Sequence, residues 1–533
     1  MGIMLRPPPD TAGKAWPAIL IGLFVAFGGV LYGYDTGTIS GIIAMDYWKK
    51  EFSTEPDYSI TASQDSLIVS ILSAGTFFGA LTAAPFGDLL GRRWGLIVSA
   101  GLVFNLGVIL QTAATTQPLF IAGRFFAGYG VGLVSALIPM YQSETAPKWI
   151  RGTIVGAYQL AITIGLLLAS IVNNSTKDRD DSGSYRIPIA VQFLWSLILV
   201  IGLLFLPETP RYLIKMDKYE QAASSLGKLR RLPVDHPAIV EELNEVQANH
   251  TYEMSLGKST YVDCFKGTLG KRLITGCCLQ ALQQLTGVNF IFYYGTQYFQ
   301  RAGFDDPFII QVITNCVNVV STFPGLWMVE RLGRRNLLLL GGVGMCVCQY
   351  IVAITGTVAG TTDLPAQRAA IAFVCIYIFF FASSWGPVAW VVTGELYPLK
   401  ARAKCLSMTT ASNWLLNWAI AYSTPYMVDP DHANLGSKVF FVWGTFCFVC
   451  IGFVWFMIYE TKGLTLEQVD ELYGIVNKAW KSKAFRPAVS YADIDPATGR
   501  NVSLSEVAAN QDRKRSVQHE EAVMAMETQE AKH

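Results

Sequence analysis

Two ionisable side chains, Asp35 and Arg124, stand far from the ends of long apolar runs. A charge at such depth is expensive, so by default it is functional and paired. Asp35 follows Ala18 in a run that rises outward, roughly 26 Å along a helix. Arg124 follows Leu119 in a run that returns inward, roughly 8 Å below the outer edge. Both land in the outer part of the membrane, so an ion pair is expected. It can be a static structural salt bridge. It can also be a carboxylate that takes a proton when the arginine moves away, which would couple protonation to movement.

The second group of residues is uncharged. From Leu273 to Gln300 the chain has no Asp, Glu, Lys, Arg or His, yet Gln283, Gln284, Thr286 and Asn289 interrupt the apolar run. A helix in lipid satisfies its own backbone but not its side-chain amides. These four need neighbouring helices or a polar ligand. On a continuous helix, Gln283, Thr286, Gly287, Phe290 and Tyr294 would share one stripe. Amides both donate and accept, which suits a hydroxyl, and aromatic rings offer flat surface to C–H faces. A polyhydroxylated ligand fits that mixture, and so does plain interhelical bonding.

Further amides and rings lie within other apolar runs: Gln159, Tyr293, Asn318, Trp385, Trp390, Asn413 and Trp414, with Asn417 a turn beyond. Pro387 behind Gly386 predicts a bend between Trp385 and Trp390, suited either to a gate or to packing at a kink. Most of these amides fall in the second half of the chain. A site held mainly by that half is the expectation.

The elements that must position these groups are membrane helices. Hydrophobic residues make up 52% of the chain and charged residues only 15%, with mean hydropathy +0.35. Soluble domains carry roughly 25% charged residues, so this is membrane-protein composition. Apolar runs near 17–43, 64–86, 94–114, 118–140, 152–173 and 187–207 precede a polar stretch, and six more follow near 273–299, 306–329, 336–358, 368–393, 405–427 and 436–459. Each approaches the roughly 20 residues needed to span a bilayer. The fold class is therefore all-α membrane protein, with twelve transmembrane helices in two six-helix bundles.

Lysines and arginines of the short loops, including Lys148, Arg151, Arg211, Lys400 and Arg402, gather on one side and mark it as cytosolic. Both termini are then inside. The expected organisation is a cytosolic segment 1–16, a first bundle 17–207, a linker of short surface helices 208–272, a second bundle 273–459 and a largely disordered cytosolic tail 460–533. Asn173 and Asn174 begin overlapping glycosylation sequons on the outer side, whereas those at Asn249 and Asn501 face the cytosol and should be silent. No cysteine falls in a segment placed outside, so no disulfide framework is expected.

Net charge of +1 gives no reason to expect a nucleic-acid partner. The five histidines and ten cysteines form no metal-ligand spacing, no Walker A sequence exists, and no nucleophile–base arrangement points to an enzyme. No cofactor and no metal is expected.

The two halves echo each other. Gly87-Asp-Leu-Leu-Gly-Arg-Arg93 matches Val329-Glu-Arg-Leu-Gly-Arg-Arg335, with Asp88, Arg92 and Arg93 against Glu330, Arg334 and Arg335. Glu144 to Arg151 parallels Glu395 to Arg402, and Glu208 to Arg211 parallels Glu460 to Gly463. Three motifs recurring in order imply two bundles about a pseudo-twofold axis, with a site between them. The glycines of the first and fourth runs, Gly128 and Gly130 among them, are expected to serve close helix packing.

Together GYDTGTISG (33–41), GRR (91–93), GRFFAGYGVG (123–132), PETPR (207–211), QQLTGVN (283–289), ERLGRR (330–335), WGPVAW (385–390) and ETKG (460–463) resemble the sugar porter family of the major facilitator superfamily, in particular its fungal hexose transporter branch. The likeness runs from Gly28 to Glu467. It implies alternating access of a monosaccharide, glucose or a related hexose or xylose, across the plasma membrane. It implies sugar contacts from Gln159, Gln283, Gln284, Asn289, Asn318, Trp390 and Asn413, and proton coupling through Asp35 and Arg124. Leu89 stands where the first GRR motif usually has arginine, and Tyr459 replaces the proline before ETKG. Ala382 sits where animal facilitative members have glutamate, while Trp385 resembles the bacterial proton-linked pattern. Sugar:proton symport by a monomer in the lipid bilayer is the leading expectation. Facilitated uniport and a glucose sensor on the same fold are the alternatives.

Overall fold

The computed structural model describes residues 14–485 apart from 57, 148–149, 256–259, 302–305, 359–363, 399–400, 465 and 477. The expectations for residues 1–13, Lys148, Lys400, Asn501 and the tail from 486 lie outside the described residues.

In chain order the spanning helices are α1 (Trp16–Ile42), α2 (Ala62–Leu90), α3 (Arg92–Ala113), α4 (Gln117–Thr145), α5 (Arg151–Thr176), α6 (Gly183–Phe205), α7 (Gly267–Leu285 and Val288–Arg301), α8 (Pro307–Leu332), α9 (Arg334–Val358), α10 (Pro365–Leu396), α11 (Arg402–Val428) and α12 (Gly436–Met457). Ten are long and apolar enough to cross a membrane on composition alone. The exceptions are α7 and α11, whose apolar runs are interrupted by Gln280, Gln283, Gln284 and Asn289, and by Ser407, Ser412, Asn413 and Asn417. The two least apolar spans are thus the two that carry most of the candidate site. Every span is helical because a helix pairs all its backbone groups within itself, which lipid demands.

Within the first half, α1 packs on α5 and α2 on α4. Glycine permits both crossings. A Cβ on Gly33 would overlap the Ile162 backbone, and one on Gly128 would overlap that of Leu72. Side chains there would force the helices apart. The halves meet along α2 against α11 and α5 against α8.

Two departures from a regular α-helix bear on the site. In α7, Gly287 adopts φ +84°, a left-handed conformation that few other residues adopt. The expected stripe from Gln283 to Tyr294 is therefore interrupted: the helix stops at Leu285 and restarts at Val288. In α10 a π-helical turn spans Phe381–Trp385, and Pro387 sits in the first turn of the helix that follows. The widened turn precedes the proline, which falls where its missing N–H costs little.

Between the halves run short helices Pro210–Lys215, Tyr219–Arg230 and Pro237–Ser255. The early tail departs from expected disorder. Leu466–Ile475 and Ala479–Ala484 are helical, burying Val469, Leu472 and Ala479 and setting Trp480 edge-on to Phe456. Asn173 lies in the last turn of α5, buried, with its amide donating to the Gly37 and Thr38 carbonyl oxygens at 2.9 and 3.2 Å. That amide ties α5 to α1, so the first outer sequon is not open to glycosylation.

Candidate functional site

The break in α7 turns its amides toward one another. Gln283 donates through Nε2 to the carbonyl oxygens of Trp385 and Gly386, at 2.9 and 3.1 Å. These oxygens lie at the junction where the widened turn of α10 ends. Asn413 of α11 donates to Oε1 of Gln283 at 2.8 Å and to Oε1 of Gln280 at 2.7 Å. Gln284 donates to Gln283 at 3.4 Å, and Asn289 donates to Gln284 from beyond the break. Five amides from two helices thus form one lattice clamped to a third helix.

That lattice lines a cavity between the halves. Gln283, Gln284, Asn289, Trp390, Asn413 and Trp414 face it from the second half, and Gln159 from the first. Sequence reasoning missed Tyr32, Thr36, Tyr158, Ile162 and Leu166, which complete the first-half wall, and Val288, Phe292 and Phe381 opposite. Tyr32 and Thr36 sit one helical turn apart on α1, so they share one face. The aromatic walls are built edge-on: Tyr32 meets Trp414 at 4.8 Å between ring centroids, and Tyr158 meets Trp390 at 6.1 Å. The cavity volume is about 40 Å³, room for a few waters. Side chains must move apart to admit a larger guest.

Three candidates lie outside that wall. Tyr293 donates its hydroxyl to Asn417 at 3.1 Å, and Ser73 of the first half reaches the same Asn417 oxygen at 2.9 Å. Trp385 is fully buried and donates Nε1 to the Leu338 carbonyl oxygen at 2.9 Å. Asn318 is fully buried, and neither amide atom is hydrogen-bonded among the described residues.

Beside Thr36, on the face of α1 turned into the first bundle, Asp35 accepts from Arg124 at 2.9 Å, the two side chains 0% and 1% exposed. Arg124 also donates Nε to the Ile68 carbonyl oxygen at 3.3 Å. The structure brings this pair together as their depths require.

At the opposite end the repeated motifs build twin networks. Arg92 contacts Glu144 at 3.2 Å and Asp88 at 3.4 Å, while Glu208 accepts from the N–H groups of Arg92 and Arg93. Arg334 contacts Glu395 at 2.7 Å and Glu330 at 3.2 Å, while Glu460 accepts from the N–H groups of Arg334 and Arg335. Thr209 and Thr461 bond Glu144 and Glu395 alike. Arg402 donates to the Tyr397 carbonyl oxygen at 3.2 Å, Arg151 opens α5, and Arg211 sits half-buried in the helix Pro210–Lys215.

Such a cavity between repeated helical halves invites comparison with known proteins. The sequence profile described as "Sugar (and other) transporter" matches residues 21–473. The chain belongs to this family. The major facilitator-type transporter ecdD of Aspergillus rugulosus is 65% identical over 503 residues, covering 91% of this chain and 93% of the relative. The probable glucose transporter rco-3 of Neurospora crassa is 54% identical, covering 92% and 84%. Among solved structures, the proton:xylose symporter XylE bound to 6-bromo-6-deoxy-D-glucose superposes with TM-score 0.74 at 26% identity, over 86% of this chain and 100% of that one. The family consists of multi-pass membrane transporters, not enzymes, and its major facilitator fold is the one observed here.

Proposed function

We propose that this chain carries a monosaccharide, glucose or a related hexose or xylose, across the plasma membrane by alternating access with a proton as co-substrate. The observation that carries the reading is the convergence of Gln159, Gln283, Gln284, Asn289 and Asn413 with Trp390 and Trp414 on one cavity between the halves. Uncharged amides replace the water that sugar hydroxyls give up, and rings cover the C–H faces. The probable glucose transport of rco-3 and the proton:xylose symport of XylE support the same substrate class.

Coupling is assigned to Asp35. The carboxylate is one residue from Thr36 on the cavity wall, and its arginine partner lies on α4 of the same half. When that half shifts on sugar binding, the ion pair loosens and the carboxylate takes a proton from the open side. It releases the proton when Arg124 returns. The basic loops beside the twin networks support a cytosolic position for both termini, and a cavity lined by one chain supports a monomer.

The test is uptake of labelled glucose into proteoliposomes under an imposed pH gradient. Accumulation above equilibrium is expected from the wild type. Asp35→Asn should abolish accumulation while sparing equilibrium exchange. Equilibration alone in the wild type would show a uniporter, and unchanged accumulation in Asp35→Asn would remove that residue from coupling.

A further inference from the structure

The repeat is not symmetric where its motifs meet. Aligning Gly87–Arg93 with Val329–Arg335 and Glu208–Tyr212 with Glu460–Leu464 sets Leu89 against Arg331, Trp94 against Asn336, Pro210 against Lys462 and Tyr212 against Leu464. In the first half the corner is filled. The Tyr212 ring lies 5.2 Å from the Arg92 guanidinium, its hydroxyl reaches the Leu89 carbonyl oxygen at 3.5 Å, and Lys215 closes on Asp88 at 2.8 Å. In the second half, leucine for tyrosine leaves the corner open. A cavity of about 240 Å³ is lined there by Arg331, Asn336, Glu460, Lys462, Ser482 and Lys483 among others.

The early tail forms one wall of this cavity. Ser482, buried in the turn Ala479–Ala484, accepts the Glu460 N–H at 2.9 Å and donates to the Ala479 carbonyl oxygen at 2.6 Å. Glu460 is the one carboxylate among the described lining residues. Its oxygens already accept the N–H groups of Arg334, Arg335 and Lys462, at 2.9, 3.2 and 3.1 Å. Three cations therefore outnumber a single, engaged carboxylate. Arg331 lies 4.7 Å from the ring of Trp327, which is 43% exposed on the last turns of α8. An exposed tryptophan at a helix end marks headgroup depth. With the orientation proposed above, this end faces the cytosol.

Clustered guanidinium, ammonium and amide donors in a concave site at that depth match phosphate oxygens. We propose that the cavity between the α8–α9 corner and the turn Ala479–Ala484 binds a phosphate-bearing anion, either a phospholipid headgroup or a soluble phosphate ester.

The test uses the full-length protein in phosphatidylcholine nanodiscs, titrated with dioctanoyl phosphatidylinositol 4,5-bisphosphate and separately with inositol 1,4,5-trisphosphate. Saturable binding is expected. Arg331→Leu and Lys483→Gln should each weaken it about tenfold or more, as loss of one charged hydrogen bond implies. Leu464→Tyr, which restores the first half's plug, should abolish it. Lys483 is exposed on the turn, so Lys483→Gln should keep the wild-type melting temperature and keep the test interpretable. Binding of the lipid alone assigns the site to bilayer phospholipid, and equal binding of the free headgroup assigns it to soluble phosphates. No saturable binding of either probe, or binding unchanged in both Lys483→Gln and Leu464→Tyr, overturns the proposal.

Discussion

Buried amides divide into those already committed and those still unpaired, and the two kinds respond differently to substitution. Gln283 holds the Trp385 and Gly386 carbonyl oxygens and receives Asn413. Removing it takes one bond from each of those groups and from Gln284, while Asn413 keeps Gln280; each lost bond is worth about 1 kcal/mol. Gln283→Ala should therefore lower the melting temperature and weaken sugar binding about tenfold; a wild-type dissociation constant would take Gln283 off the list of sugar contacts. Asn318 is the opposite case, with both amide atoms unpartnered. Asn318→Leu removes a buried polar group that makes no side-chain hydrogen bond with the described residues, so the melting temperature should hold or rise. A fall in melting temperature would mean that Asn318 has a structural partner after all. Asp35 and Arg124 were legible because charge in an apolar run has few bland explanations. Tyr32 and Tyr158 were not, because an aromatic hydroxyl within an apolar run reads the same whether it packs or lines a cavity.

Helix identity was legible from apolar run length, but helix continuity was not. Periodicity carries α7 straight through Gly287, since nothing in the residue types there reveals a positive φ. Yet the break turns Asn289 back onto Gln284. Gly287→Ala would place a Cβ against the Trp443 ring and impose a left-handed conformation on a non-glycine residue, costing about 1–2 kcal/mol before any clash. The expected result is a lower melting temperature together with weakened sugar binding, because the two parts of α7 can no longer meet at this angle. Gly452→Ala is the matched control: it lies inside α12 with open space around a new Cβ, and alanine favours a helix by about 1 kcal/mol. It should be neutral or stabilising. If both variants melt alike, the turn at Gly287 is not what positions the amides. The early tail, helical over Leu466–Ile475 and Ala479–Ala484, was hidden for a related reason. Val469, Leu472 and Ala479 are too few to stand out in a polar segment, yet each finds a buried place.

Across the whole molecule the repeat was legible because its motifs recur in register, whereas the closure between the halves depends on contacts that no motif records. On the side opposite the twin networks, proposed above as the outer one, Ser40 meets Thr296 at 3.3 Å, Ser66 reaches the Tyr422 carbonyl oxygen, and Lys177 grips Asp306 at 2.9 and 3.1 Å. On the side of the twin networks Ser407 donates to the Ala80 carbonyl oxygen at 2.7 Å. Contacts thus join the halves on both sides of the cavity, and parting them on the outer side breaks the Lys177–Asp306 latch. Burial pushes the Asp306 carboxyl up, but the Lys177 hydrogen bond, the Ile309 N–H and the Lys177 charge outweigh it and hold the group below its ordinary value. A carboxyl depressed in the closed state favours closure above its ordinary value, and that contribution is lost as pH falls through the depressed one. Labelling of Ser40→Cys by an impermeant thiol reagent, measured over the native cysteine background and divided at each pH by that of the denatured protein to remove the thiol's own titration, should therefore stay flat from about pH 7 to pH 5 and rise only below roughly pH 4. Lys177→Asp sets two carboxylates face to face and should raise labelling across that whole range. Lys177→Asp combined with Asp306→Lys rebuilds the pair in reverse and should bring labelling back down. Equal labelling of wild type and Lys177→Asp would mean that the helix contacts of α1 with α7 and α2 with α11 close the outer side unaided.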